Sequence, residues 1–159
     1  MAKYSTSNTL AGTQQNLSSS YKTVTAVWSS NATSLRRGLI YDFEVGIDGA
    51  PNSTDCSVAW DISRLTADGT ATSATPVALN PADGAMLGVS KVNFTVEGTI
   101  TAASSVWSLG LNQRASFRWV CKDGGELVYP ATNTNGFALR AKSATYASTV
   151  VGTLYVDEQ

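Results

Sequence analysis

The densest group of reactive side chains lies in RASFRWVCKDGGELVYPATN, residues 114–133, where Arg114, Arg118, Lys122, Asp123 and Glu126 surround Trp119, Cys121 and Tyr129. A cysteine nucleophile would need a base beside it, and the chain contains no histidine. That removes Cys-His and Ser-His arrangements and the ordinary zinc site. Paired carboxylates remain, with Asp42 and Glu44 on one strand face, Asp61 on another, and Asp123 near Glu126. Hydrolysis of a glycoside needs two such groups about 5–10 Å apart across a cleft; solvated strand faces and turns account for these residues more simply. Oxygen-rich loops at Asp48–Asp55 and around Asp123 suit calcium, but neither has EF-hand spacing nor a repeated nonapeptide. No glycines have phosphate-loop or dinucleotide spacing. The expectation is a chain with no catalytic residues, no cofactor and no metal.

The arginines are more informative. Arg36, Arg37, Arg114 and Arg118 combine a bidentate fork with an apolar stem, a combination frequent at protein interfaces. With Tyr4 and Tyr129 they form the set of interface candidates, each weighed against an ordinary solvated surface position.

The elements that must position these residues follow period two. LIYDFEVGID puts Leu39, Tyr41, Phe43, Val45 and Ile47 on one face and Asp42 and Glu44 on the other, which is a strand with one dry side. CSVAWDISR puts Cys56, Val58, Trp60 and Ile62 inward, with Ser57, Asp61 and Ser63 outward. The same alternation sets Phe94 and Val96, then Trp107, Leu109 and Leu111, then Phe117, Trp119 and Cys121, then Phe137 and Leu139, then Val150, Leu154 and Val156. Weaker strands are expected at Thr23–Trp28 and Ser73–Leu79. Asp68-Gly69 has the chemistry of a hairpin turn between Leu65 and Val77, and Asn80-Pro81 could open a single helical turn. In the crowded stretch Gly124-Gly125 supplies a turn, so its charges cluster because turns project polar residues into water.

No segment sustains an i, i+3, i+4 pattern, which excludes βαβ units. The fold expected is all-β: a single antiparallel β-sandwich of eight or so strands, with jelly-roll connectivity as first choice. Residues 1–22 are polar with isolated apolar points and read as an arm, draped over its own domain or reaching a neighbour; residues 23–159 form the sandwich. Charged residues make up 14% of the chain, well below the ~25% of ordinary soluble domains. A net charge of −1 offers little for binding nucleic acid by counterion release. The start lacks the apolar core of a signal peptide and no membrane-length apolar run occurs, so synthesis in a cytoplasm is expected. Cys56 and Cys121 are expected as buried free thiols. Sequons at Asn16, Asn31, Asn52 and Asn93 are expected by chance in a chain rich in Ser and Thr.

The segments MAKYSTSNTLAGTQQNLSSSYKT, LRRGLIYDFEVGIDGAP, NQRASFRWV and ELVYPATNTNGFALRA resemble a group of small virion structural proteins of tailed bacteriophages. The likeness spans nearly the whole chain and lies in wording and element order. It implies a head-associated β-sandwich that acts as a capsid cement or decoration protein: non-enzymatic, homotrimeric, made in the host cytoplasm, and bound to the major capsid protein on the virion surface. Two other readings fit the same features. One is a head-fibre, tail or baseplate component. The other is a carbohydrate-binding module that offers Trp28, Trp107 or Tyr129 as a stacking platform.

Overall fold

The computed structural model describes residues 1–30 and 34–159; the sequon at Asn31 lies outside them. Among the described residues there are twelve strands: β1 (Ala2–Ser7), β2 (Lys22–Trp28), β3 (Gly38–Ile47), β4 (Ser57–Ala67), β5 (Thr70–Ala74), β6 (Val77–Ala78), β7 (Val89–Val96), β8 (Thr99–Asn112), β9 (Phe117–Val120), β10 (Leu127–Tyr129), β11 (Gly136–Lys142) and β12 (Val150–Glu158). They make two antiparallel sheets. The first has the order β10-β3-β12-β1-β6, with β9 also paired to β3; the second runs β5-β7-β2-β11-β4-β8. Stacked face to face, the sheets form a β-sandwich. No described residue is helical, and the turn expected at Asn80 is held by its side-chain oxygen accepting from Ala82 N at 3.1 Å.

The core lies between the sheets. Ile40, Phe43, Val45, Val150, Leu154 and Val156 of the first sheet meet Val24, Val27, Val58, Trp60, Ile62, Phe137 and Leu139 of the second. Most inward positions carry the alternation read from the sequence. Two places depart from it. Val96, expected inward, is 59% exposed, because the ladder of β7 to β5 shifts between Thr70 and Thr72 around Asn93. At the start of β3 the ladder to β12 slips between Tyr155 and Val156, so that Tyr155 pairs with Asp42 while Val156 pairs with Ile40. A bulge at Tyr41 therefore inverts the phase: Ile40 is buried, and Leu39 and Tyr41, expected inward, turn to the outer face.

The amino-terminal segment expected as an arm is built into the domain. β1 is an interior strand of the first sheet, between β12 and β6. Beyond it, buried Asn93, itself at φ 56°, donates to Asn8 O and Ala11 O at 2.8 Å each and accepts from Gln15 N at 2.9 Å. Leu17 is buried and donates its N–H to Ser148 O. Backbone groups so paired do not fray.

Asp68-Gly69 is not a hairpin turn. The strands it joins are not neighbours, since β4 pairs with β8 and β11 whereas β5 pairs with β7. A Cβ at Gly69 would lie 2.3 Å from Val96 O, and one at Gly98 would lie 2.5 Å from Ala67 O. The glycines let two connections, β4 to β5 and β7 to β8, cross at close range. Around this crossing a second, smaller core gathers Ala26, Trp28, Leu65, Phe94 and Ala138.

Candidate protein interface

Arg118 projects from β9 on the outer face of the first sheet. Directly across the ladder stands Glu44, and one step along stands Asp42. Nε of Arg118 donates to both Asp42 oxygens at 3.1 Å and Nη2 donates to Oδ2 at 2.5 Å, while Glu44 lies 3.4 Å from Nε. The Asp42 side chain is only 5% exposed, but the Arg118 side chain is 58% exposed. The aspartate thus fixes the fork from beneath and leaves much of the guanidinium open. The hydrogen bond and charge of Asp42 raise the Arg118 pKa, so the cation is permanent.

Aromatic and apolar groups surround this cation. Tyr155 lies beside it, its ring centroid 5.9 Å from the guanidinium, and Tyr41 lies 6.3 Å from Tyr155. Lys3 covers the Tyr41 ring at 4.8 Å. Val120, which pairs with Asp42, is 59% exposed. Burial raises the pKa of both tyrosines, with nearby carboxylates adding to it, and their hydroxyls stay protonated. At one end of the patch Glu44, Ile47, Phe117, Arg118 and Val151 line a shallow groove of about 420 Å³. Tyrosine and arginine on a flat, part-apolar surface are the residues that dominate binding at protein interfaces.

The other candidates divide. Arg36 and Arg37 are exposed just before β3, and Arg37 O accepts from Gln159 N at 2.8 Å. Arg114 is exposed in the turn from β8 to β9, paired with Asp55 at 3.2 Å and donating to Asn52 O at 2.9 Å. Arg36 and Arg37 precede the start of β3, whereas β9, which follows Arg114, pairs with its second half, so these arginines do not converge. Tyr129 and Tyr4 are not interface residues in this fold. Tyr129 is buried with its ring over Gly38, where a Cβ would fall 2.0 Å from a ring carbon, and its hydroxyl has no partner among the described residues. Burial pushes its pKa far up. Tyr4 is buried and donates to Gly84 O at 3.0 Å. Their aromatic surface made them look available; the packing of β10 on β3 and of β1 within its sheet took both inward.

Trp28, expected exposed, is buried in the second core. Trp107 is wedged against Phe43 and Phe117, with centroids 4.8 and 5.6 Å away. Two of the three proposed sugar platforms are therefore buried and the third is engaged. The cysteines are free and half-buried; burial, with Glu126 and Asp123 nearby, raises the Cys121 pKa and disfavours its thiolate. Among the described residues no His, Cys, Asp and Glu cluster could hold a metal, and no helix is long and apolar enough to cross a membrane.

Sequence reasoning missed Tyr41, Tyr155 and Val120. Val120 was legible as an outward residue of its strand, but Tyr41 was hidden by the bulge. No known protein-family profile matches the chain, and no curated protein matches it.

Proposed function

We propose that this chain is a structural protein of a bacteriophage virion, which binds the outside of the capsid shell through the outer face of its first sheet and stabilises it without catalysis. The observation that carries the reading is the Arg118 fork, clamped by Asp42 and left open to a partner beside Tyr155, Tyr41 and Val120. Clamping lowers the entropy lost when the arginine meets a partner's carboxylate or carbonyl groups. A domain that seats only on the mature lattice stabilises that lattice by mass action, and several weakly held copies on one shell act together when joined.

The strand pairing supports a jelly-roll winding. Pairs β1·β12, β2·β11, β3·β9 and β4·β8 are nested in the chain and alternate between the two sheets. On this reading β5, β6 and β7 are an insertion that widens both sheets. The major capsid protein of the same particle is the partner proposed.

The test is co-sedimentation of the purified chain with expanded shells that lack it, followed by electron cryomicroscopy. Saturable binding, with density over the outer shell and the first sheet facing it, is expected. Density confined to a tail or baseplate, or no binding, would overturn the capsid assignment.

A further inference from the structure

We infer that the free edge of β8 is a pairing site for a second copy of this chain, forming a two-fold dimer centred on Leu109. Sheet edges in stable domains are kept from pairing by shortness, by charge or by proline. Three of the four edges here follow that rule. β6 is two residues long, β5 is five, and the β9–β10 edge consists of short pieces carrying Arg118 and separated by a loop with Lys122, Asp123 and Glu126. β8 does not. Its residues, TITAASSVWSLGLN, contain no charged side chain and no proline, and it is the outermost strand of the second sheet. Its bulges lie before Trp107, where Ala103 is at φ 53°, and from Trp107 to Asn112 it pairs with β4 without a shift, so this half is the open edge.

The hydrogen-bond phase defines which groups are open. Gln113 N donates to Cys56 O at 3.0 Å, one step beyond the Ser57–Asn112 pair. Alternation along an antiparallel ladder then turns the backbone groups of Leu111, Leu109 and Trp107 toward β4, and those of Asn112, Gly110 and Ser108 away from it. The Asn112 carbonyl accepts from Ala115 N at 2.9 Å, as an outward group at the turn should. Ser108 and Gly110 keep theirs for an incoming strand, and both are exposed and small.

A second copy matches the hydrogen-bonding phase of this edge. A two-fold axis at Leu109 sets Ser108 opposite Gly110 of the mate, and Gly110 opposite its Ser108, so four main-chain hydrogen bonds form. Leu109 then faces itself across the closely spaced, non-hydrogen-bonded position. Half-buried Trp107, Leu109 and Leu111, all on the core side of β8, would join their counterparts and lose their remaining exposure. Self-pairing sets this segment against itself, so any net charge would repel its own copy; the segment has none. The contact is isologous and closes at two chains, in place of the threefold assembly that the resemblance implies.

Sedimentation equilibrium of the full chain should give twice the 16.7 kDa chain mass. Gly110→Pro, which removes one outward N–H while leaving the β4 ladder intact, should give a folded monomer whose thermal midpoint no longer depends on chain concentration. Ser108→Lys should do the same if the proline variant does not fold. In a Cys56→Ser, Cys121→Ser background, Leu109→Cys should oxidise to a covalent dimer. A monomer or trimer mass for the wild-type chain, or a dimer that survives both edge variants and yields no Leu109→Cys cross-link, would overturn the inference. Shell binding is read separately, so either result leaves the capsid proposal to its own test.

Discussion

Arg118 with Asp42 and Arg140 with Asp61 are the same two residue types on the outer faces of opposite sheets, and their environments differ in one decisive way. Each aspartate side chain is 5% exposed, and each arginine grips it with Nε and Nη2. Arg140, however, is only 16% exposed. Its Nη2 also donates to Ser63 Oγ at 2.9 Å, Ser63 donates to Asp61 at 2.7 Å, and Tyr21 lies 4.7 Å from the guanidinium. That pair is covered, so it serves the fold. Arg118 has a neighbouring tyrosine but no such cover, and donors remain for a partner. Equal chemistry thus separates into a structural clamp and a candidate contact according to what lies above it.

The comparison breaks most readily at Arg140. Removing it leaves Asp61 buried without its cation, and Arg140→Ala should cost about 3–5 kcal/mol in urea denaturation. Arg118→Ala should lower the denaturation midpoint far less, because water replaces the lost side chain over Asp42. If the two variants lose equal stability, the distinction between covered and open pairs fails.

Binding should show the reverse order. Arg118→Ala is expected to weaken shell association by about tenfold or more, as removal of an interface anchor does, whereas a folded Arg140 variant should bind as the wild type does. Arg118→Lys sharpens the point. It keeps the charge but lacks the planar fork, so it should recover only part of the binding lost in Arg118→Ala. Full recovery would show that charge alone is read.

The smallest effect concerns a buried polar group with no partner. Tyr129→Phe removes a hydroxyl that makes no hydrogen bond, so stability at neutral pH should be unchanged or slightly raised. The folded-state pKa of Tyr129 lies above the ordinary value of 10.0. Its protonated form therefore contributes stability that is full below the unfolded pKa and is lost as pH rises from there toward the folded value. Tyr129→Phe should flatten the alkaline loss of stability above about pH 10. An unchanged alkaline profile would show that other groups govern it.

Much of the sandwich was legible because a pleated strand writes itself into sequence as alternation. Phe43, Val45, Trp60, Ile62, Phe117, Trp119, Leu139 and Leu154 all lie on the faces that period two assigns them. The glycine at position 69 was legible as a backbone requirement, although the need was close approach and not a hairpin. Local pattern could not supply β1, whose apolar points are sparse and whose pairing partner, β12, lies at the other end of the chain.

By itself the sequence determined the class of fold, most inward faces and the lack of histidine-based chemistry, since these depend on side-chain type and on spacing between near neighbours. Tertiary structure alone decided that Tyr4, Trp28 and Tyr129 are buried, that a bulge presents Tyr41, and that Arg118 is open where Arg140 is closed. Those outcomes depend on partners 76 and 79 positions apart for the two ion pairs, and on one extra residue in a single strand. A residue's type is written locally, but what finally covers it comes from elsewhere in the chain.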